Sequence, residues 1–292
     1  MLTDTAIQTA ISTVKGNIIS RVNKFSINVQ TSLLDGGALA RFIVSQCCAV
    51  NEYNAGQYIW YHLQQIDYSC TFSGGYATIN FCLDYYTDSA QETAAVAEAQ
   101  NVITNEGLQV LTTDTDAQVA KKVKKLYTWI TEHCTYDKVD RRTIQLHNLI
   151  DDTTTSVSVI RNAMWDCLIS DQGLGKKKAV CQSISNTLYY ILNKVGIPTM
   201  IVQGYEVNPK NELFHHVWNL CEIGGKWYNV DATAALHCAD GVPGYAECDM
   251  YSWLLCGSSD FTAGPNRYVR LPAFYSNRFN TAHEVANTRF MV

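Results

Sequence analysis

The chain has no apolar run of the roughly 18 residues that a membrane-spanning helix needs. It is also somewhat short of charge: 17% of its 292 residues are Asp, Glu, Lys or Arg, against 47% apolar. That is the balance of a globular protein, and the length suits one large domain or two modest ones. A basic excess is missing too. Lys and Arg number 22 against 27 Asp and Glu, for a net charge of −5 and a pI near 5.8. This leaves no footprint for nucleic acid or for an anionic membrane surface. The N-terminus, with Asp4 and several threonines, lacks the basic start and apolar block of a secretory signal. The expected location is the cytoplasm; the alternative is export with a leader that precedes the given chain. There is no repeat and no low-complexity tract. No calcium loop of the D-x-[DN]-x-[DN]-G type and no C-x-x-C pair occurs, so neither a metal nor a cofactor is expected.

Cysteine, by contrast, is plentiful. There are eleven, an odd number that excludes complete internal pairing. The adjacent Cys47 and Cys48 suit neither zinc nor a mutual disulfide. Most sit in apolar company, as Cys82 does in INFCLDY and Cys256 in WLLCG. They read as small buried hydrophobes in a reducing compartment. Cys181 has a different setting.

The patterns along the chain suggest two parts. In the first, strands are expected over 23–30, 58–63 and 76–86, the last two around the break at Ser73 to Gly75, with helices over 37–50 and 89–102. A polar connector from Asn105 to Thr115 suggests a boundary between 110 and 111, giving a smaller segment 1–110 and a larger domain 111–292. Beyond it, Asp116 can cap a helix to about Glu132, with Val119, Val123, Leu126, Tyr127 and Ile130 as its apolar stripe. A second helix is expected over 156–168, then a Gly/Lys-rich loop from Asp171 to Val180. After Cys181 a helix runs over 182–195 on Ile184, Leu188, Ile191, Leu192 and Val195, closed by Gly196 and Pro198. Strands follow over 199–204, 213–223 and 226–232. From Thr233 onward no periodicity organises the tail. The expected fold class is α+β.

Cys181 stands where a helix begins, so free N–H groups and the positive end of the helix dipole face its sulfur. Both lower a thiol pKa, and the thiolate is the nucleophile. Lys176, Lys177 and Lys178 add positive potential nearby. Position alone fits a small buried cysteine better. Gly224-Gly225 supplies a two-residue hairpin turn. In that register Trp218 faces Asp231 and His216 faces Thr233, so His216 and Asp231 share a face as diagonal neighbours. A carboxylate there fixes the imidazole tautomer and stabilises its charged form. His215 points to the other face. A metal site built from His215, His216 and Cys221 is disfavoured, since neighbouring strand residues cannot readily share an ion.

These segments, AVCQSIS…LYYILNKVGIPTMIVQG, HHVWN and KWYNVDAT, resemble the transglutaminase-like superfamily of papain-like Cys-His-Asp thiol enzymes. Its members show a Cys opening a helix, then His-x-Trp-Asn, then Trp-Tyr-x-x-Asp-x-Thr. Cys181 matches the nucleophile, His216 the base and Asp231 the orienting carboxylate. Upstream, LYTWITEHCTYD loosely resembles the helix and Tyr-Asp pair before the family core. The likeness spans about Ala117 to Thr233 and is closer to bacterial members. It departs where Ser183-Ile184-Ser185 replace the usual glycine and aromatic, and in the lysines of 173–178.

The resemblance implies a papain/transglutaminase-like core: a nucleophile at a helix N-terminus, packed on an antiparallel sheet. It implies a cysteine acyl-transfer enzyme acting on peptide or protein amides, either a protease or amidase, or a transglutaminase with an amine acceptor. The alternative is a non-catalytic binding or scaffold protein of the same fold. The N–H of Cys181 is the expected oxyanion donor, with Gln182 or Gln172 as side-chain candidates. Trp218 reads as core.

Overall fold

The computed structural model describes residues 4–31, 35–48, 55–137, 139, 141–169, 175–208, 210–242, 245, 248–261, 267–271 and 281–292. The chain divides into two compact units, Met1–Glu92 with Arg141–Val159, and Thr93–Asp140 with Ile160–Val292. The expected single boundary at 110/111 falls within the second unit. The chain passes between units three times, first inside a helix.

The first unit opens with α1 (Asp4–Ile19), β1 (Lys24–Gln30) and α2 (Gly36–Cys47), whose N-terminus is capped by the Asp35 carboxylate. α3 (Ala55–His62), β2 (Leu63–Ser73) and β3 (Tyr76–Tyr85) follow. The strands form an antiparallel sheet in the order β1-β3-β2. Gly74 and Gly75 turn the β2–β3 hairpin at φ 58° and 81°, a conformation that suits glycine. Ile27, Val29, Ile79, Phe81 and Leu83 pack with Val14, Ile18, Leu39 and Ile43. The strand expected over 58–63 is instead the end of α3. Its aromatic residues favour a strand intrinsically, but Ile59, Tyr61 and His62 are all buried from helical positions. His62 Nδ1 lies 2.6 Å from Tyr58 O, one turn back.

α4 (Ser89–Asn105) crosses to the second unit and α5 (Asp116–His133) follows. The cap of α5 is Thr115, paired reciprocally with Gln118, and not Asp116. β4 (Cys134–Tyr136) leads to β5 (Arg141–His147) and β6 (Thr154–Ile160), a two-stranded sheet. The helix expected over 156–168 is therefore β6 plus a short α6 (Met164–Leu168). The β-branched run Thr154 to Ile160 prefers an extended chain, and α6 starts only after Asn162 and Ala163.

The rest of the second unit carries the elements that concern function. β7 (Lys177–Ala179) pairs in parallel with β4 and delivers the chain to α7 (Cys181–Lys194). β8 (Thr199–Val207), β9 (Leu213–Ile223) and β10 (Lys226–Val230) follow, then α8 (Ala232–Ala239), a 3₁₀ turn (Met250–Trp253) and β11 (Arg267–Arg270). The sheet order is β10-β9-β8-β11, antiparallel throughout. Lys226 pairs with Ile223 and Val230 with Asn219 across Gly224-Gly225, the register expected from that turn. Ile184, Leu188, Ile191 and Leu192 of α7 are buried, and Ser185 Oγ donates to Val217 O of β9 at 3.2 Å. The fold is α+β, with the helix that begins at Cys181 seated on an antiparallel sheet. Among the described residues no helix is long and apolar enough to cross a membrane.

β11 reaches the sheet because residue 204 has no side chain. A Cβ there would stand 2.1 Å from Val269 O and 2.9 Å from the end of the Trp218 ring. Gly204→Ala is expected to cost about 1–3 kcal/mol by overpacking, read as a lowered urea midpoint with unchanged slope.

Candidate active site

Cys181 is the first residue of α7, so its N–H has no intrahelical acceptor. The residue as a whole is partly exposed. Ser183 holds the turn before it: Val180 N–H donates to Ser183 Oγ at 3.0 Å, and the hydroxyl donates back to Val180 O at 2.8 Å. Two of the residues that depart from the family pattern thus have structural work. Ser183 closes the helix start and Ser185 ties the helix to β9.

His216 comes from β9 and is 6% exposed; Asp231 follows β10 and is 1% exposed. His216 Nε2 lies 2.8 Å from Asp231 Oδ2. His216 and Cys181 lie close enough to shift each other's proton affinity in opposite directions, and with Nε2 on Asp231 it is Nδ1 that is left for the sulfur. The three residues singled out in the sequence are therefore brought together, with His216 bonded to Asp231 and interacting with Cys181.

The strand expected to continue through Ala232 stops at Val230. Asp231 leaves the ladder to cap α8, its Oδ1 accepting N–H groups of Thr233 at 2.9 Å and Ala234 at 3.2 Å. Its own N–H donates to Trp253 O at 3.0 Å. The Tyr268 hydroxyl donates to Oδ2 at 2.8 Å.

The charges follow from these contacts. Burial lifts the Asp231 carboxyl, but the His216 charge and hydrogen bond, with those from Tyr268 and Ala234, hold it below the carboxylate range. Burial disfavours a charged imidazole, yet Asp231 and then Cys181 raise His216 well above its ordinary value. Burial lifts the Cys181 thiol, and the His216 contact and the Val217 N–H bring it below the usual thiol value. Cys47 is pushed up to about 11, and Cys48, Cys221 and Cys256 to about 12, chiefly by burial. Cys167 also moves down, through a contact with Cys134 whose thiol rises in turn; both are sealed from solvent. All eleven cysteines are free thiols.

The lysines expected to act on the sulfur are engaged elsewhere. Lys176 donates to Thr131 O at 3.2 Å, Lys177 lies over Trp129 and Lys178 pairs with Asp137 at 3.2 Å. Gln172 lies outside the described residues. Trp218 is core, its Nε1 donating to Asn229 Oδ1 at 3.1 Å. His215 turns away from His216 and packs its ring, tilted, against Tyr205.

Two residues at the site carried no such assignment in the sequence. Tyr136 lies close enough to the Cys181 sulfur for the two to shift each other's proton affinity, because β4 pairs in parallel with β7 and sets Tyr136 opposite Ala179. Its only signal was the loose Tyr-Asp likeness. Tyr268 gave none, since it lies in the tail without periodicity.

Residues 107–232 match the family described as the transglutaminase-like superfamily. No curated protein matches the sequence. Among solved structures, a TGase is similar at 16% identity and a TM-score of 0.31, covering 71% of this chain and 50% of that one. A candidate cysteine protease from Cytophaga hutchinsonii is similar at 13% identity and a TM-score of 0.32, covering 59% of this chain and 66% of that one. A candidate protease from Parabacteroides distasonis stands at 9% and 0.24, covering 58% and 39%. This chain thus spans half the length of the TGase it matches.

The buried pair makes stability depend on pH in a set direction. The Asp231 contribution is present above the unfolded carboxylate value of about 3.9 and is lost as pH falls through its depressed folded value. The His216 contribution is full below about 6.5 and is lost as pH rises through its raised folded value. Asp231→Ala removes the ion-pair partner and the α8 cap together. It should lower the unfolding free energy at neutral pH by about 3–5 kcal/mol, measured by urea titration, and flatten the pH dependence.

Proposed function

We propose that this chain is a cysteine-nucleophile acyl-transfer enzyme acting on amide bonds of peptides or proteins. Cys181 is the nucleophile, His216 the proton shuttle and Asp231 the orienting carboxylate. The observation that supports this reading is the buried His216–Asp231 pair with Cys181 beside the imidazole, an arrangement that lowers the thiol and raises the imidazole. That combination favours a thiolate–imidazolium pair, an activated nucleophile with its general acid beside it. A binding module that merely kept the fold has no use for it.

The thiolate attacks the carbonyl carbon and the C–N bond breaks. His216 gives its proton to the leaving amine, and a thioester remains on Cys181. Water or an amine then attacks the thioester, His216 takes its proton, and the thiolate leaves. Water makes the enzyme a protease or amidase; an amine makes it a transglutaminase. Negative charge on the carbonyl oxygen falls to two donors, the Cys181 N–H at the helix start and the Tyr136 hydroxyl next to the sulfur. Cys181, His216 and Asp231 all lie in the unit Thr93–Asp140 with Ile160–Val292, which is the catalytic part, and the unit Met1–Glu92 with Arg141–Val159 is accessory to it.

Iodoacetamide should alkylate Cys181 at about pH 6 at least about tenfold faster in the folded than in the urea-unfolded protein. His216→Ala should remove that excess; equal rates in folded and unfolded protein would sink the enzyme reading. Peptide-library profiling with and without added amines should release acyl products and tell hydrolysis from transfer. On a substrate so found, Tyr136→Phe should lower kcat by about 10²-fold with little change in KM.

A further inference from the structure

We infer that Tyr268, from a strand beyond the family-matched segment, is a positioning residue that acts through Asp231 to set where the Cys181–His216 pair holds its proton. The inference rests on the acyl-transfer reading and concerns a side chain that reading does not use.

Three observations carry it. First, the Tyr268 hydroxyl and His216 Nε2 each lie 2.8 Å from the same atom, Asp231 Oδ2. The other oxygen is already taken by two N–H groups of the α8 cap. Tyr268 and His216 therefore share one oxygen. Second, the tyrosine is fixed. Its ring lies 4.0 Å from that of Phe261, 5.3 Å from Trp218 and 5.9 Å from His216, centroid to centroid, and it is 8% exposed. Third, its strand is built to come this close, because Gly204 leaves room for Val269 and Arg270 of β11.

The consequence is electrostatic. A hydroxyl that donates to an anion lowers its affinity for protons. Groups coupled to the anion follow. Those around this one are His216 on β9, Cys181 on α7, Glu206 on β8, Tyr127 on α5, Tyr136 on β4 and Cys256 after the 3₁₀ turn. Without the Tyr268 hydroxyl, Oδ2 keeps His216 alone. Asp231 becomes more basic, His216 holds its proton more tightly, and the Cys181 sulfur sees more negative charge. Every proton in the cluster is then bound more strongly, so the working window moves to higher pH as a whole.

The test is the pH profile of Cys181 alkylation, with Cys181→Ser marking the background from the other ten thiols. Tyr268→Phe should move both limbs of the profile up by about one pH unit, a tenfold slower reaction on the acid limb. In an Asp231→Asn background the same change should alter the rate by less than about twofold, since the group it acts through is gone. A rate lowered equally at every pH, an effect that persists in Asp231→Asn, or loss of cooperative melting in Tyr268→Phe would each make Tyr268 merely structural and overturn the inference. Ordinary thiol reactivity of Cys181 in the unaltered protein would instead overturn the parent reading.

Discussion

One carboxylate carries more of this structure than any other group. Asp231 ends β10, starts α8, anchors to the 3₁₀ turn through its backbone and accepts four side-chain hydrogen bonds, all while almost sealed from water. A buried anion is costly unless its lone pairs are met. Each donor that meets them is fixed by a different element: the α8 backbone, His216 of β9 and Tyr268 of β11. The site is the place where those elements must agree.

The same economy governs the nucleophile. A helix start exposes N–H groups, and a thiol next to them needs its surroundings held still. Ser183 and Ser185 do this from inside the helix, one closing the turn before Cys181 and one gripping β9. The imidazole then lies between two groups of opposite demand. The carboxylate keeps it charged, and its charge keeps the sulfur low. The lysines upstream are bound to other partners and leave this local arrangement to set the thiol.

Where local pattern and burial agreed, the sequence was readable. The helix after Cys181 has a clean apolar face, and Gly224-Gly225 admits one tight turn, so the approach of His216 to Asp231 followed from spacing. Where a run served a face that no local rule names, reading failed. The aromatic stretch from Tyr58 to Leu63 was expected as a strand because its residues prefer one, yet it is buried mostly from helical positions. The stretch from Ser156 to Leu168 mixes a β-branched half with a helical half, and one period does not describe both.

By itself the sequence determined which residues stand at the helix start and in the hairpin, because helix period, turn chemistry and strand alternation act over a few residues. It determined that most cysteines would be buried in apolar company, since their neighbours are apolar. Only the tertiary structure decided what completes the site. Tyr136 reaches Cys181 through parallel pairing of strands 43 positions apart in register, and Tyr268 reaches Asp231 from 37 residues away in a tail with no period. Such contacts depend on how sheets and helices close on one another, and that closure is a property of the whole packed unit.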